Sequence, residues 1–273
     1  MSDVTERFVA LVQGPPGAIA LDEAALLIAA HAHTDLDLDA RLGQLDALGD
    51  GVASRDARGV ADALFDAGGF TGNTVDYSDP ANSYLDDVLD RRLGIPITLG
   101  VVMIEVARRA GVHLVGVGMP RHFLVGVPTM GDDGPGIESV TQWYDPFHGA
   151  QPLDASDCAA LFARMHGGTG PVRPLDPAHL APVGPLAILD RMLANLQITL
   201  LRRAPASAAW PTRLRLAFPA VSPFVRAELA STLGNLGQFA EAAAHLDALV
   251  GELDPETAER VARAAGQLRA RAN

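Results

Sequence analysis

The feature that most constrains the fold is a change of hydrophobic periodicity at Gly111. Before it, residues 97–110 form a segment that is apolar on every side and starts just after Pro96, which predicts a buried helix. After it, the runs HLVGVGMP and HFLVGVP predict two short strands joined at Pro120 and Arg121, and VTQWYDP predicts a third strand after the turn GDDGPG. A buried helix followed by consecutive antiparallel strands predicts an α+β fold.

Helical patterns flank this segment on both sides. Upstream, leucines spaced four and three residues apart predict an amphipathic helix with Asp35 or Asp37 as its cap; they are Leu38, Leu42, Leu45 and Leu48. Turn residues at 71–82 and a Gly- and Pro-rich stretch at 167–185 mark two boundaries. We therefore expect a helical N-terminal region at 1–76, an α+β core at 77–182 and a helical region at 183–273.

The helical C-terminal region contains a segment with the pattern of a repeat. The sequence LGNLGQFAEAAAHLDAL resembles one tetratricopeptide-type unit, with Gly234 and Gly237 at the turn and Ala242 where two helices approach closely. A single repeat does not bury its own apolar face, so it must pack on the rest of the chain or on a partner. We expect a protein partner to bind this region.

Composition excludes several other classes. The formal net charge of -12 disfavours binding to nucleic acid, and the longest apolar run, IPITLGVVMI, is too short to span a membrane. The N-terminus lacks the pattern of a secretory signal, so we expect a cytoplasmic protein. All 21 basic residues are arginine, which leaves no lysine for Schiff-base or P-loop chemistry. The oligomeric state is not determined by these features.

One short motif has the residue types of a metal site. His31, His33 and Asp35 resemble the start of the HxHxD motif of binuclear metallohydrolases, but Leu36 stands where the next histidine belongs. The segment also fits the end of a helix followed by an acidic cap. We therefore expect no metal at His31 and His33, and neither a metal nor a cofactor elsewhere in the chain.

The central segment carries a specific resemblance. NSYLDDVLDRRLGIPITLGVVMIEVARRAGVHLVGVGMPRHFLVGV, with the later WYDPFHG, is similar to the SirB-type branch of the transglutaminase-like family, whose members have tetratricopeptide-like tails. The similarity is strong over about residues 82–149 and weaker in the flanking helices. It implies a transglutaminase-like, papain-like core between helical regions.

The resemblance also implies positions for a Cys-His-Asp triad. Active members open the buried helix with a cysteine, begin a strand with a histidine and place an aspartate on the next strand. In this sequence His122 and Asp145 occupy the last two positions, whereas Pro96 stands where the cysteine belongs. Proline has neither a nucleophile nor a backbone N–H, so thiol-based acyl transfer cannot start from that position.

Other side chains in the sequence offer alternatives to the missing thiol or lie near the same positions. Thr98 carries a hydroxyl two residues beyond Pro96, where it either replaces the thiol or caps the helix. Cys158 lies in the helical context DASDCAALFARM, which predicts a half-buried small side chain. His148 either lines the same cleft as His122 or is an ordinary loop residue.

The apolar helix contains one acidic residue. Glu105 either serves as an acid group in the pocket or pairs with Arg108 and Arg109, three and four residues on.

The favoured function is therefore non-catalytic interaction or regulation. The alternative is a hydrolase or transferase that uses His122 and Asp145 with Thr98 or a bound water.

Overall fold

The computed structural model describes residues 3–130, 137–166, 174–219 and 221–272. Most of them are helical. The α-helices are α1 (Asp3–Val12), α2 (Leu21–Ala30), α3 (Leu38–Asp50), α4 (Ala57–Ala61), α5 (Leu85–Arg91), α6 (Pro96–Arg109), α7 (Ala155–His166), α8 (Pro185–Arg203), α9 (Ala209–Leu216), α10 (Pro223–Asn235), α11 (Phe239–Leu249) and α12 (Pro255–Ala272). In the described part of the chain, no helix has the length and apolar character needed to cross a membrane.

The strands form one sheet and one short pair. They are β1 (Thr71–Gly72), β2 (Leu93–Gly94), β3 (Val115–Val117), β4 (Leu124–Met130), β5 (Ile137–Tyr144), β6 (Pro152–Leu153) and β7 (Pro182–Val183). The sheet has the order β6-β5-β4-β3-β7 and its described pairings are antiparallel, with Val125 opposite Tyr144. The predicted α+β fold and its three antiparallel strands are confirmed. The parallel pair of β1 and β2 was not foreseen.

Helix α6 is buried, as predicted, and it begins with Pro96 at its first turn. Leu99, Val102 and Met103 are fully buried, and burial of side chains of this kind contributes about 1.5–3 kcal/mol each. Gly100 allows the ring of Phe123 to approach the helix, because a Cβ there would lie 2.6 Å from ring carbons. This contact fixes the loop that precedes β4 against α6.

Helices α2 and α3 pack on the same core as α6. Asp37 caps α3 through a hydrogen bond from the Ala40 N–H (3.0 Å), so it and not Asp35 is the cap. Of the predicted stripe, Leu45 is fully buried and the other three leucines are half-buried. Helix α2 is buried over nearly its whole length because it packs against α3, α5 and α6. An amphipathic pattern does not predict that degree of burial.

The described residues group into two compact units, Pro16–Met192 and Met1–Pro15 with Leu193–Asn273. The boundaries at 76 and 182 remain a prediction, and the compact units differ from them because α2 and α3 pack on α6. Helix α8 contains the second boundary. The glycine-rich turn at 131–136 and the GGTG sequence at 167–170 lie outside the described residues.

The C-terminal helices pack on one another. Ala230, Leu246 and Ala265 from α10, α11 and α12 share one buried cluster. Gly237 adopts a positive φ of 82° at the turn between α10 and α11, a conformation that glycine favours. Their relation to tetratricopeptide repeats remains a prediction.

Candidate functional site

The site lies at the start of α6, near the start of β4 and the end of β5. Pro96 opens α6, His122 stands just before β4, and Asp145 directly follows β5. The backbone N–H of His122 donates to the carbonyl of Met119 (3.0 Å). Arg191 of α8 holds this turn further, because its guanidinium donates to the carbonyls of Met119 (3.1 Å) and His122 (2.7 Å). The loop that presents His122 is therefore fixed by backbone contacts.

The structure brings His122 and Asp145 together. Nε2 of His122 lies 2.9 Å from Oδ1 of Asp145, and their side chains are 2% and 7% exposed. This is close enough for charge attraction, but the ring N–H is not aligned with the oxygen, so Nε2 has no hydrogen-bond partner among the described residues. The imidazole and the carboxylate are therefore in contact without an aligned hydrogen bond between them.

Asp145 has further partners. Its Oδ2 lies 2.7 Å from Nδ1 of His148, and its Oδ1 accepts the backbone N–H of Phe147 (3.1 Å). Burial alone raises the pKa of Asp145, but the close contacts and positive charge of His122 and then of His148 outweigh burial and lower it. Asp145 is therefore held as a carboxylate between two imidazoles.

These residues lie on the wall of a cavity of about 700 Å³. Helix α7 supplies its apolar side through Leu161 and Met165, and Arg121 and Arg164 are exposed arginines on its lining. Pro96 lines the same cavity as His122, where the resemblance places the missing cysteine. His148 also lines it, with 59% of its side chain exposed, which favours the cleft reading of this residue over the loop reading.

Thr98 is placed differently. Its side chain is fully buried, its hydroxyl donates to the carbonyl of Asn82 (2.7 Å), and it accepts the N–H of Ile95 (3.2 Å). It does not line the cavity. The structure therefore makes Thr98 a capping residue of α6 and does not place it as a substitute nucleophile.

Cys158 is fully buried, so the prediction of a half-buried side chain is wrong. It packs with Val117, Trp143 and Phe162 in the cluster between α7 and the sheet. Burial, followed by nearby carboxylates, raises the pKa of its thiol to about 12. A thiol in that state is not reactive at neutral pH.

The two histidines of the HxHxD motif contact different groups. Nδ1 of His31 lies 2.8 Å from the carbonyl of Leu27, four residues back. His33 instead contacts two acidic residues of α5, with 2.6 Å from Nδ1 to Asp86 and 3.6 Å from Nε2 to Asp87. Spacing alone could not reveal this pairing because α5 lies more than 50 residues downstream.

Glu105 makes the predicted ion pairs within α6. Its carboxylate contacts Arg108 (2.8 Å) and Arg109 (3.0 Å), and both arginines also reach Asp22 of α2 (3.0 and 2.7 Å). Arg109 further contacts Asp46 of α3 (2.6 Å). Glu105 is absent from the cavity beside His122, so its role as an acid group in that pocket is excluded.

Two groups in the described chain place three potential metal ligands within 4.8 Å of one another: His122 with Asp145 and His148, and His33 with Asp86 and Asp87.

Several residues of the cavity were not predicted from the sequence. Tyr77 and Phe147 contact each other edge to face at 5.8 Å and both line the cavity. Tyr77 lies within residues 71–82, which were interpreted only as turn residues that mark a boundary. The one available signal was an aromatic residue flanked by polar residues. Arg164 lies on a helix whose position relative to the sheet no local pattern reports.

Comparison with known proteins shows three relevant relatives. A UPF0162 protein of Xylella fastidiosa (strain Temecula1) is 46% identical over 134 residues, which cover 49% of this chain and 44% of that protein. The UPF0162 protein PA3419 of Pseudomonas aeruginosa is 35% identical over 196 residues, or 68% of this chain and 66% of that protein. Human F-box only protein 21 is 31% identical over 134 residues, or 49% of this chain and 20% of that protein.

The chain spans less than half the length of the Xylella relative. No solved structure matches it significantly. The SirB-type branch and the tetratricopeptide-like tail stay predictions, since the matching family model ends before α9. That model describes the transglutaminase-like superfamily and matches residues 25–194, more than half of the 273 residues. It includes Pro96, His122, Asp145 and the helices around them, and the chain therefore belongs to the transglutaminase-like superfamily.

Proposed function

We propose that this chain is a binding protein that acts through interaction or regulation and not through thiol-based acyl transfer. The observation that carries the proposal is Pro96. It opens α6 on the wall of the cavity that His122 also lines, and it offers neither a nucleophile nor a backbone N–H. An acid-base pair without a nucleophile can hold a ligand but cannot form an acyl-enzyme.

The described residues around the cavity support the loss of the nucleophile. The described residues that line the cavity include no serine, threonine or cysteine. The hydroxyl of Thr98 is buried against backbone groups, and the thiol of Cys158 is buried with its pKa raised to about 12. These placements support a loss of covalent chemistry at this site.

The cavity itself supports ligand binding. Its volume of about 700 Å³ lies within the range of small-molecule sites, roughly 300–1,000 Å³. Phe147, Leu161 and Met165 give the cavity apolar lining. Charged and polar side chains such as Arg121, His122 and Asp145 share that lining, and convergent polar groups of this kind orient a bound ligand. The matched region also forms one fifth of F-box only protein 21, so it occurs within a longer protein.

Pro96→Cys tests the proposal directly. We expect the new thiol to react with iodoacetamide faster than Cys158 at neutral pH, because it lies at a helix N-terminus beside an imidazole. The double variant with His122→Ala should react more slowly. Cys158 is an internal control for a buried thiol, and Pro96→Ala controls for loss of the proline ring.

The proposal fails if the unmodified protein transfers or hydrolyses acyl groups in a way that His122→Ala abolishes. An inert thiol in a folded Pro96→Cys protein would show that Pro96 does not occupy the nucleophile position.

A hydrolase that uses a bound water is the second candidate. His122 lines the cavity with Nε2 beside the carboxylate of Asp145, which is the arrangement of a general base. Hydrolysis of p-nitrophenyl acetate distinguishes the two functions. A hydrolase loses activity with His122→Ala and keeps it with His113→Ala, an exposed histidine elsewhere, whereas a binding protein shows the same background rate in both.

We further propose that a protein partner binds the C-terminal helices. Phe224 at the start of α10 is 72% exposed and lines a groove with Leu253 and Val261. A photo-crosslinking residue at position 224 should capture a partner that the same residue at Gln267, an exposed site on α12, does not. A cytoplasmic location and the absence of nucleic-acid and membrane partners remain predictions from composition.

A further inference from the structure

We infer that His122, Asp145 and His148 form a binding site for one divalent transition-metal ion. The three residues offer two imidazole nitrogens and one carboxylate, and one ligand atom from each lies within 4.8 Å of the other two. Two histidines and one carboxylate are a common ligand set for zinc and for non-haem iron. The inference goes beyond the proposed function because it identifies a metal ion as the group that would bind a ligand in the cavity.

The second observation is the state of His122. Its side chain is 2% exposed, yet Nε2 has no aligned hydrogen bond to any described residue. A buried polar nitrogen without a partner is unfavourable, because it has lost its hydrogen bonds to water. A metal ion bound to the lone pair of Nε2 would remove that penalty. The nitrogen also faces the cluster, since it lies 2.9 Å from Oδ1 of Asp145.

The separations between the ligand atoms fit one ion. Nε2 of His122 and Nδ1 of His148 lie 2.9 and 2.7 Å from the two oxygens of Asp145. Neighbouring ligands around an ion with bonds of about 2.0–2.2 Å lie roughly 3 Å apart. The two imidazole rings have centroids 5.9 Å apart, so both can reach the same ion with small adjustments.

Backbone contacts hold the ligands in place. Asp145 Oδ1 accepts the N–H of Phe147, and the carbonyl of Asp145 accepts the N–H groups of His148 (3.1 Å) and Ala150 (2.8 Å). Arg191 fixes the carbonyl of His122 (2.7 Å). Contacts of this kind orient metal ligands and strengthen binding. Three protein ligands leave at least one position for water or for a ligand that enters from the cavity.

The cluster of His33, Asp86 and Asp87 is the internal comparison. His33 and Asp86 already form a hydrogen bond of 2.6 Å, so His33 has a protein partner. It also lines none of the cavity beside Pro96. A metal that binds there would be lost on substitution of His33 and not of His148, and the two sites are therefore separable by experiment.

The test is Zn²⁺ binding by the full chain after treatment with a chelator, measured by calorimetry, with Co²⁺ absorption as a second readout. We expect about one equivalent of metal and a rise in melting temperature on binding. His148→Ala should weaken binding by at least about tenfold, as should His122→Ala. His148 is 59% exposed, so its substitution should leave the fold intact, which circular dichroism checks. His33→Ala and His113→Ala should leave affinity unchanged.

Absence of binding at micromolar metal would overturn the inference. So would binding that His148→Ala and His122→Ala leave unchanged, or binding that only His33→Ala removes. The experiment measures metal binding directly, so a negative result overturns the metal site but leaves the proposed ligand-binding function unaffected. Acyl transfer by the metal-free protein would overturn the proposed function and leave the metal site unaffected.

Discussion

The two ends of helix α6 carry buried charges that are arranged in opposite ways. At the C-terminal end, Glu105 and Asp22 are 5% and 7% exposed, and Arg109 contacts both. In the described chain, no buried side-chain atom of this network lacks a partner. At the N-terminal end, Asp145 pairs with two histidines beside a cavity, and Nε2 of His122 lacks an aligned partner.

The two ends differ in how completely their buried polar groups are paired. A fully paired network excludes solvent and ties α6 to α2 and α3, so its effect is on stability. An incompletely paired cluster at an open cavity retains capacity for a ligand. Both ends contain buried carboxylates, so burial of a charge alone would not have distinguished them.

The largest expected loss of stability comes from a substitution in the ion-pair network at the C-terminal end of α6. Arg109→Ala removes the buried partner that Asp22 and Glu105 share and leaves them only the exposed Arg108. Removal of one partner from a buried ion pair costs about 3–5 kcal/mol. Urea denaturation should show this loss. The matched control is Arg108→Ala, which contacts the same two carboxylates but is 59% exposed and should cost about 1 kcal/mol or less. Equal effects of the two substitutions would contradict the argument.

A substitution beside the cavity, at the N-terminal end of α6, should reduce stability less. His122→Ala removes one of the partners of Asp145, but His148 and the N–H of Phe147 remain. We expect a loss of about 1–3 kcal/mol in the free energy of unfolding. A loss as large as that of Arg109→Ala would show that His122 is a structural residue, and the contrast between the ends of α6 would then disappear.

The cap of α6 should rank next. Thr98→Val keeps the shape of the side chain but removes the hydroxyl that serves Asn82 and Ile95, with an expected loss of about 1–2 kcal/mol. Thr98→Ser keeps the hydroxyl and should lose less. If Thr98 were instead a nucleophile, Thr98→Val would abolish an activity without this loss of stability.

The smallest expected effect is on the pH dependence of stability, through Asp22 at the C-terminal end of α6. Burial raises the pKa of Asp22, but hydrogen bonding and charge from Arg109 and Arg108 outweigh burial and lower it below 3.8. The folded-state pKa is therefore depressed, and the stabilisation is present above the unfolded pKa and lost as pH falls through the folded value.

Asp22→Asn should consequently be less stable than the unmodified protein near pH 7, with a difference that shrinks below about pH 3.8. Glu105 acts in the opposite direction, since burial and then Asp22 raise its pKa. Denaturation curves at several pH values measure the difference. A constant difference from pH 7 to pH 3 would contradict the prediction.

Much of the site was predictable because its residues follow the order of the secondary structure. Pro96 starts a buried helix, His122 precedes a strand and Asp145 follows one, and each position is visible from a change of hydrophobic period. Their convergence came from the family resemblance and not from the pattern. Cys158 shows the limit of such reasoning, since a helical context predicted half burial and the packing of α7 on the sheet made burial complete.

The sequence by itself determined the α+β order, the burial of α6 and the absence of a thiol at its start, because these depend on local periodicity and on residue identity. Only the tertiary structure decided which polar groups meet. Asp22 reaches Arg109 across 87 positions, and His33 reaches Asp86 across 53. Side chains that distant in sequence come together only when helices pack, since hydrophobic burial selects that packing and no local pattern records which charges it juxtaposes.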